Sequence, residues 1–245
     1  LKTSRGGYDG KGVWKVDGPD EILEVFANKP TVSAGERVRI VAEEYIDFAR
    51  ELSALVVRAP SGQVVAYPIS QTTQEDGICV ETVTPAPGLD EERAAELQVM
   101  AINIATELGV VGVLAVELME ARDGRIVVNE LAMRPHNTGH WTIDGAVTSQ
   151  FENHIRAVLD LPLGSPELRD DVVAMRNVLG GAEPDLTGAL QHVFARDRAA
   201  RVHLYGKTVV PGRKVGHVTC VGTDVDDVLR RARHAASYLM GDPDA

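Results

Sequence analysis

A chain of 245 residues can bury a substantial core and is long for one domain, so we expect a large domain and a smaller one. It has 25 lysines and arginines against 36 aspartates and glutamates, and the net charge of −11 argues against a general binder of nucleic acids or anionic membranes. An anionic substrate must therefore meet a local cluster of bases. Only Cys79 and Cys220 are present, no apolar run suits a membrane span, and no signal peptide is recognisable, so we expect a reducing cytosol.

The chain opens at Leu1 without Met and runs directly into a glycine-rich loop, so we interpret it as a piece of a longer protein. Apolar periodicity, helix caps and turn residues predict an α+β succession of elements. The dipeptide at 180–181 and a shift in composition predict a small, β-rich C-terminal domain after it. The predicted elements are strands at 13–16, 38–46, 52–58 and 64–69, and helices at about 22–27, 91–108, 147–160 and 225–239.

Two apolar runs, 113–119 and 126–131, flank Asp123-Gly124, a dipeptide typical of tight hairpin turns. Taking it as a two-residue loop and counting along both arms brings Glu117 opposite Glu130. Opposed carboxylates in apolar strands are unfavourable unless a cation or a shared proton relieves them. Oxygen ligands favour magnesium or manganese, and magnesium is commonly held by one or two carboxylates and nucleotide phosphates. The hairpin therefore predicts a divalent cation site.

A purely structural alternative has even odds on this pattern alone, because one of the glutamates could instead pair with Arg134 or another base. Asn129 points to the opposite face from Glu130 in a regular strand. It would reach the same cation only through a bulge or a backbone twist.

Three other segments carry candidate chemistry. Residues 5–12 contain four glycines, which suits a phosphate cover, although an ordinary flexible hairpin explains them more simply. Residues 134–141 crowd Arg134, His136, Asn137 and His140 into one loop, which suits an anion or a solvated loop equally well. Lys207 and the 211–217 segment form a basic cluster that a solvated surface turn would also explain.

Taken together, GGYDGKG at 6–12, NELAMRPHNTGHW at 129–141, TSQFE at 148–152 and PGRKVGH at 211–217 resemble the carboxyaminoimidazole ribonucleotide synthase family of ATP-grasp enzymes. The resemblance covers nearly the whole chain, and the 129–141 stretch is its most specific part. It implies a partial ATP-grasp fold with a small β-rich C-terminal domain. The implied domains are the end of the small ATP-grasp subdomain (1–46), the large subdomain (47–178) and the C-terminal domain (179–245).

The resemblance implies a ligase of purine biosynthesis that uses ATP and magnesium, with manganese possible. ATP phosphorylates bicarbonate, and the carboxyphosphate or its carbon dioxide carboxylates the exocyclic amine of aminoimidazole ribonucleotide. The implied partners are these small molecules and a second copy of the chain in a homodimer. The family also carries a preceding Rossmann-like domain and further ATP-binding bases, so we expect the isolated chain to be inactive.

The resemblance also implies site roles. Metal ligands would be Glu117 and Glu130, and Asn129 would lie with Glu130 at the nucleotide. ATP would be met by Gly7, Tyr8, Asp9, Gly10, Lys11, Gly12 and Val13 over the phosphates, by Glu43, Glu44, Tyr45 and Ile46 at adenine, and by Glu51 at the ribose. Tyr8, Asp9 and Lys11 would also face the ribonucleotide. Arg134, His136, Asn137 and Lys207 would surround bicarbonate or its phosphorylated form, Lys207 would also meet the ribonucleotide, and Arg213 and Lys214 would grip the ribonucleotide phosphate.

The glutamates and the glycine loop are shared more widely, so two alternatives remain. One is another ATP-grasp ligase, such as a formate-using or biotin-carboxylating relative, which would lack the 134–141 and 211–217 stretches. The other is a non-catalytic ATP-binding fragment.

Overall fold

The computed structural model describes residues 1–4, 12–27, 39–181 and 185–242. The chain divides into two compact units, which are described separately. One comprises residues 1–47 with 74–78, and the other comprises residues 48–73 with 79–245. None of the described helices combines the length and apolar character that a membrane span requires.

The described residues 1–4, 12–27 and 39–47 of the first unit include one helix and two short paired strands. Helix α1 (Pro19–Ala27) confirms the predicted helix and begins earlier, at a proline whose fixed φ suits a first helical position. Strand β1 (Lys2–Thr3) pairs antiparallel with β2 (Ile40–Val41). The predicted strand at 13–16 is wrong, since Val13 forms only an isolated bridge to Lys2. The predicted strand at 38–46 is confirmed only at β2; residues 42–46 are not in a strand, and residue 38 lies outside the described residues.

From residue 48 onward, nine strands form one sheet in the order β10-β11-β9-β6-β5-β3-β7-β8, and β4 pairs with β3 outside this path. The strands are β3 (Phe48–Arg58), β4 (Val64–Ala66), β5 (Ser70–Glu75), β6 (Ile78–Thr84), β7 (Gly112–Ala121), β8 (Ile126–Ala132), β9 (Val172–Leu179), β10 (Arg201–Leu204) and β11 (Lys214–Gly222). The helices are α2 (Glu91–Glu107), α3 (Thr142–Gly145), α4 (Gln150–Val158), α5 (Leu190–Arg196) and α6 (Val225–Leu239). The β3–β4 hairpin and the helices α2 and α6 agree with the sequence-based predictions.

Three apolar clusters hold the second unit together. Helix α2 covers one face of β3 and β7. The other face packs against the fully buried Tyr67 and Trp141, whose rings meet edge to face. The third cluster joins α5 and α6 to β9 and β11. Strand β9 pairs with both β6 and β11, so the sheet continues through the predicted domain boundary at 178/179. The three-way division of the chain stays a prediction.

The β7–β8 hairpin places Glu117 opposite Glu130, which confirms the predicted pair. The turn itself differs from the prediction. The Ala121 N–H donates to the Arg125 carbonyl at 2.9 Å and the Gly124 N–H donates to the Ala121 carbonyl at 2.9 Å. The loop therefore has three residues instead of two, and it ends with Gly124 at φ 85°.

A β-bulge compensates for that extra loop residue. Leu118 pairs with Val128 and Glu117 with Glu130, so Asn129 is the additional residue of β8. Two residues of a bulged strand oppose one on the partner strand, which turns the bulged residue out of simple alternation. Asn129 therefore lies at a β-bulge, which is the feature it needs to reach the same cation as Glu130.

Helix α4 begins later than predicted because Ser149 is its N-cap, accepting a hydrogen bond from the backbone of Glu152 at 3.1 Å. Its apolar stripe predicted the helix correctly but not its buried face. Phe151 and Ile155 are exposed, whereas Gln150 is fully buried. The inward face of α4 is thus largely polar, and it supports the loop at 134–141.

Candidate active site

Three acidic side chains lie on adjacent strands, Glu51 on β3 and Glu117 and Glu130 on the β7–β8 hairpin. Glu117 on β7 is 24% exposed, and Glu130 and Glu51 are near enough to act on it electrostatically. Burial, followed by repulsion from Glu130 and then Glu51, raises the pKa of Glu117 to about 7, although Lys214 and Arg134 oppose the shift. Burial also raises the pKa of Glu51. This part of the sheet therefore carries more negative charge than its neighbours relieve.

His136 is the ion-pair partner of Glu117 in the described parts of the chain, with 3.4 Å between Nε2 and Oε1. Its Nδ1 lies 2.9 Å from the Thr138 hydroxyl, which lies 2.7 Å from that of Ser53. Arg134 donates to the Pro135 carbonyl at 3.2 Å. Within the described residues, no lysine or arginine is in ion-pair distance of either hairpin glutamate, and His136 is the base that pairs with Glu117.

A magnesium ion fits this donor set. Across the described ranges, no group of three or more His, Cys, Asp or Glu side chains could enclose a metal. Magnesium commonly takes one or two carboxylates and completes its octahedron with water and nucleotide phosphates. The opposed carboxylates of Glu117 and Glu130, the first with a raised pKa, suit such a partial shell.

Gln150 holds the loop at 134–141. Its Oε1 accepts from the backbone N–H of His136 at 2.9 Å, and its Nε2 donates to the His136 carbonyl at 2.7 Å and to Nδ1 of His140 at 3.1 Å. A Cβ on Gly139 would lie 2.6 Å from Oε1 of Gln150, so glycine allows this close approach. The side chain is buried, and its hydrogen-bonding capacity is used in fixing the backbone.

Asn137, in the loop at 134–141, lies next to the buried Cys79. Asn137 Nδ2 is buried and has no hydrogen-bond acceptor in the described structure apart from a weak interaction with the Cys79 thiol. Burial raises the pKa of Cys79 to about 12, so the thiol is protonated. An underused buried amide donor beside Glu117 suits an anionic ligand.

The basic cluster lies in the β10–β11 hairpin. Lys207 Nζ donates to the Lys214 carbonyl at 3.4 Å, and Arg213 donates to the Thr208 carbonyl at 3.5 Å. Lys214 lowers the pKa of Glu117, and both lysines lower that of His140. The charge of Lys214 therefore acts on Glu117 of β7, and the charges of both lysines act on His140 in the loop at 134–141. Convergence of His136 and Lys207 on one anion stays a prediction.

The remaining predicted site residues belong to the first unit. Gly12 has φ 78° and accepts from the Thr3 backbone N–H at 2.8 Å, and Val13 is exposed. Lys2 pairs with Glu43 at 2.8 Å. Tyr45 has Lys15 Nζ 4.3 Å from its ring centroid, and Glu44 and Ile46 lie in the same non-strand segment. The predicted loop residues Gly7, Tyr8, Asp9, Gly10 and Lys11, and the mobility expected for residues 6–12, lie outside the described residues.

Several supporting residues were not predicted from the sequence. Their chemistry is common and their sequence separation is large, so only the fold brings them together. Thr138, Gln150 and His217 lie in segments that carried the resemblance, which was the available signal. The supporting residues are Ser53, Thr138, Gln150, Tyr205 and His217.

Comparison with known proteins identifies the families to which the chain is similar. Residues 1–151 match the ATP-grasp domain family, and residues 173–231 match the phosphoribosylaminoimidazole carboxylase C-terminal domain family. The chain is 52% identical over 246 residues to the N5-carboxyaminoimidazole ribonucleotide synthase of Mycobacterium tuberculosis (strain ATCC 25618 / H37Rv), covering 98% of this chain and 56% of that protein. It is 46% identical over 246 residues to the protein of the same name from Corynebacterium ammoniagenes, covering 98% and 59%.

The solved structures that resemble this chain include enzymes with the same name as these relatives. The carboxyaminoimidazole ribonucleotide synthase of Aspergillus clavatus complexed with ATP superimposes with a TM-score of 0.82 at 32% identity, covering 97% of this chain and 61% of that one. The same enzyme with ADP and 5-aminoimidazole ribonucleotide also gives a TM-score of 0.82 at 32% identity, covering 94% and 60%. The chain spans a little more than half the length of the relatives it matches.

The fold class expected from the sequence, a partial ATP-grasp fold followed by a small sheet-rich C-terminal part, is therefore confirmed. The acidic hairpin, the loop at 134–141 and the basic β10–β11 hairpin lie on that framework. The chain belongs to the ATP-grasp family.

Proposed function

We propose that the protein containing this chain carboxylates the exocyclic amine of 5-aminoimidazole ribonucleotide, using ATP and bicarbonate. The observation that carries the proposal is the Glu117–Glu130 pair, in which burial raises the pKa of Glu117 and which lies beside His136 and the charge of Lys214. In the proposal, cation ligands and anion-binding groups would therefore lie side by side. Phosphoryl transfer from ATP requires that combination more than it requires a protein nucleophile.

In this reaction a bicarbonate oxygen attacks the γ-phosphorus of ATP, ADP leaves, and carboxyphosphate forms. The amine then attacks the carboxyl carbon of carboxyphosphate and inorganic phosphate leaves. Alternatively, carboxyphosphate first breaks down to carbon dioxide and inorganic phosphate, and the amine attacks the carbon dioxide. Glu117 and Glu130, with Asn129 at the bulge, would hold magnesium or manganese. That metal would neutralise the charge of the ATP phosphates. Glu51 would lie at the ribose of the nucleotide.

The carboxylate of the intermediate needs donors that an acidic protein must gather locally. Arg134, His136 and Asn137 would bind bicarbonate and its phosphorylated form, together with Lys207. Arg213 and Lys214 would bind the ribonucleotide phosphate as charge-assisted donors. Residues 7–13 would cover the ATP phosphates, and residues 43–46 would meet the adenine through their backbone.

The test is ADP release measured with and without aminoimidazole ribonucleotide and bicarbonate, on this chain and on a full-length form. In the full-length form, this sequence is part of a chain as long as its relatives. We expect ribonucleotide-dependent ADP release from the full-length form and none from this chain alone. Stimulation by formate or biotin instead of the ribonucleotide would identify another ATP-grasp ligase, and ATP binding without turnover in both forms would identify a non-catalytic nucleotide binder.

The proposal includes a cytosolic homodimer. Free, buried Cys79 and Cys220 are compatible with a reducing compartment. Sedimentation equilibrium of the full-length form should give twice the monomer mass, and a monomer across the working concentration range would contradict this part of the proposal.

A further inference from the structure

We propose that Tyr205 and His217 are positioning residues that fix Lys207 relative to His136. This inference rests on the proposed function, in which both of those side chains bind the reacting anion. The connection consists of five contacts between β10, β11, the loop at 134–141 and helix α4, all within one compact unit.

The first contacts lie in the β10–β11 hairpin. The Tyr205 hydroxyl and Nδ1 of His217 are 2.7 Å apart, and Lys207 Nζ lies 5.1 Å from the centroid of the Tyr205 ring. A cation over an aromatic face is attracted by the ring quadrupole, so the ring orientation biases the position of the ammonium group. The hydroxyl contact with His217 fixes that orientation.

Three imidazoles form a stack beneath the tyrosine. His203 and His217 have ring centroids 4.7 Å apart with 20° between their planes, and His140 lies 5.3 Å from His217. His203 Nε2 donates to Asp144 of α3 at 2.6 Å. The stack therefore connects the C-terminal hairpin with the elements that follow the loop at 134–141.

Burial keeps the inner two rings neutral. It lowers the pKa of His140 to about 4 and that of His217 to about 3. The Gln150 amide donates to Nδ1 of His140, which requires an unprotonated nitrogen there. Neutral, stacked imidazoles hold the lysine-bearing hairpin close without adding positive charge that would repel Lys207.

The last contacts reach the reacting groups. Gln150 binds both backbone groups of His136 while it donates to His140, and the His136 imidazole lies 3.4 Å from Glu117. The path from Lys207 to Glu117 thus consists of direct contacts throughout. His217 is central to it, being 1% exposed and touching Tyr205 and both other imidazoles.

The catalytic test is a double-mutant cycle in the full-length form. Tyr205→Phe keeps the ring but removes the hydroxyl, so we expect a loss of about tenfold in kcat for ribonucleotide-dependent ADP release and a KM for ATP within about twofold of the parent value. In a Lys207→Ala background the same change should cost less than about twofold, because the tyrosine acts through the lysine. Tyr238→Phe on α6, whose ring stacks on His192, removes a hydroxyl elsewhere in the same compact unit and should leave kcat unchanged.

A second variant pair keeps the inference testable whatever the activity. In His217→Asn the amide replaces Nδ1, whereas in His217→Gln it replaces Nε2. Only the asparagine variant should retain the Tyr205 contact. In NMR spectra of this chain, the upfield ring-current shift of the Lys207 ε-protons should persist in His217→Asn and disappear in His217→Gln, with thermal unfolding confirming that both variants fold.

The outcomes separate the two claims. Absence of ribonucleotide-dependent turnover in the unmodified full-length form would reject the proposed function, and the NMR result would then decide whether His217 fixes Lys207. Additive losses in the cycle would overturn the positioning role in catalysis. A Lys207 ring-current shift that is the same in both His217 variants would overturn the structural connection.

Discussion

Glu81 on β6 and Glu117 on β7 belong to the same sheet and are both shielded from solvent, but their neighbours differ in charge. Glu81 accepts from Nε and Nη2 of Arg233 at 2.7 Å each and lies 3.6 Å from Arg176. Glu117 faces two other glutamates and a histidine at 3.4 Å. A buried carboxylate matched by guanidinium groups is complete within the protein, whereas one among carboxylates is suited to a cation from outside.

The largest expected effect is on turnover, and it follows from neutralising Glu117, the carboxylate that no guanidinium group pairs with in the described residues. In the full-length form, Glu117→Gln should lower magnesium-dependent turnover by about 10²–10³-fold or more, because the charge that would hold the metal is halved. Folding should be preserved, since one member of a repulsive group becomes neutral. Steady-state kinetics over a range of magnesium concentrations measure this.

Glu107→Gln, at the exposed end of α2, is the matched control and should retain full turnover. Unchanged turnover in Glu117→Gln would end its assignment as a metal ligand.

Glu81→Gln should instead lower the stability of the fold. The amide removes the charge that pairs with Arg233 and Arg176, so we expect the free energy of unfolding to fall by about 1–2 kcal/mol, the 55% exposure of the Arg233 side chain reducing the cost below that of a fully buried pair. Urea denaturation of this chain measures it. Glu152→Gln disrupts the exposed pair with Arg156 and should cost less than about 1 kcal/mol. Equal costs for the two variants would mean that burial does not distinguish these pairs.

The pH dependence of stability should reveal the strain at Glu117. Its pKa is about 7 in the folded chain against 4.5 ordinarily, so the folded state binds a proton more tightly. The group therefore imposes no penalty below about pH 4.5, an increasing penalty between 4.5 and 7, and its full penalty above 7, up to about 3 kcal/mol.

Glu117→Gln removes that penalty, so the variant should gain stability relative to the parent chain as the pH rises from 5 to 8. Paired urea denaturation curves at the two pH values test this. A stability difference that is independent of pH would show that Glu117 is not strained.

The smallest effect concerns the turn that sets the pairing. Gly124 has φ 85° and open space around its Cα, so Gly124→Ala should cost about 1 kcal/mol through backbone strain alone. Gly62 has φ 91° with similar space, and Gly62→Ala in the β3–β4 turn is the matched comparison. Thermal unfolding of both variants measures the cost, and a much larger cost at Gly124 would mean that the turn does more than fix the register.

The acidic hairpin shows how far the sequence could lead. The Glu117–Glu130 pair was predicted from the Asp123-Gly124 turn, yet the turn has one residue more than assumed and the bulge at Asn129 restores the count. Turn length and bulges depend on local backbone geometry that an apolar pattern does not report. The pairing was correct because two deviations of one residue cancel.

Elsewhere the sequence predicted the helices and strands better than it predicted which of their residues are buried and which residues they contact. The periodicity of Phe151 and Ile155 predicted α4, but those residues are exposed and Gln150 is buried. The Ser53–Thr138 contact and the His140–His217 stack join residues more than 75 positions apart. Neither can be derived from spacing, because the sheet order that creates them is set by long-range pairing.

The most direct test of the metal site is diffraction from the full-length form crystallised with a non-hydrolysable ATP analogue and manganese. An anomalous peak between the carboxylates of Glu117 and Glu130, adjoining the nucleotide phosphates, is the predicted result. A peak elsewhere, with Glu117 paired to a lysine or arginine in the nucleotide-bound state, would contradict it.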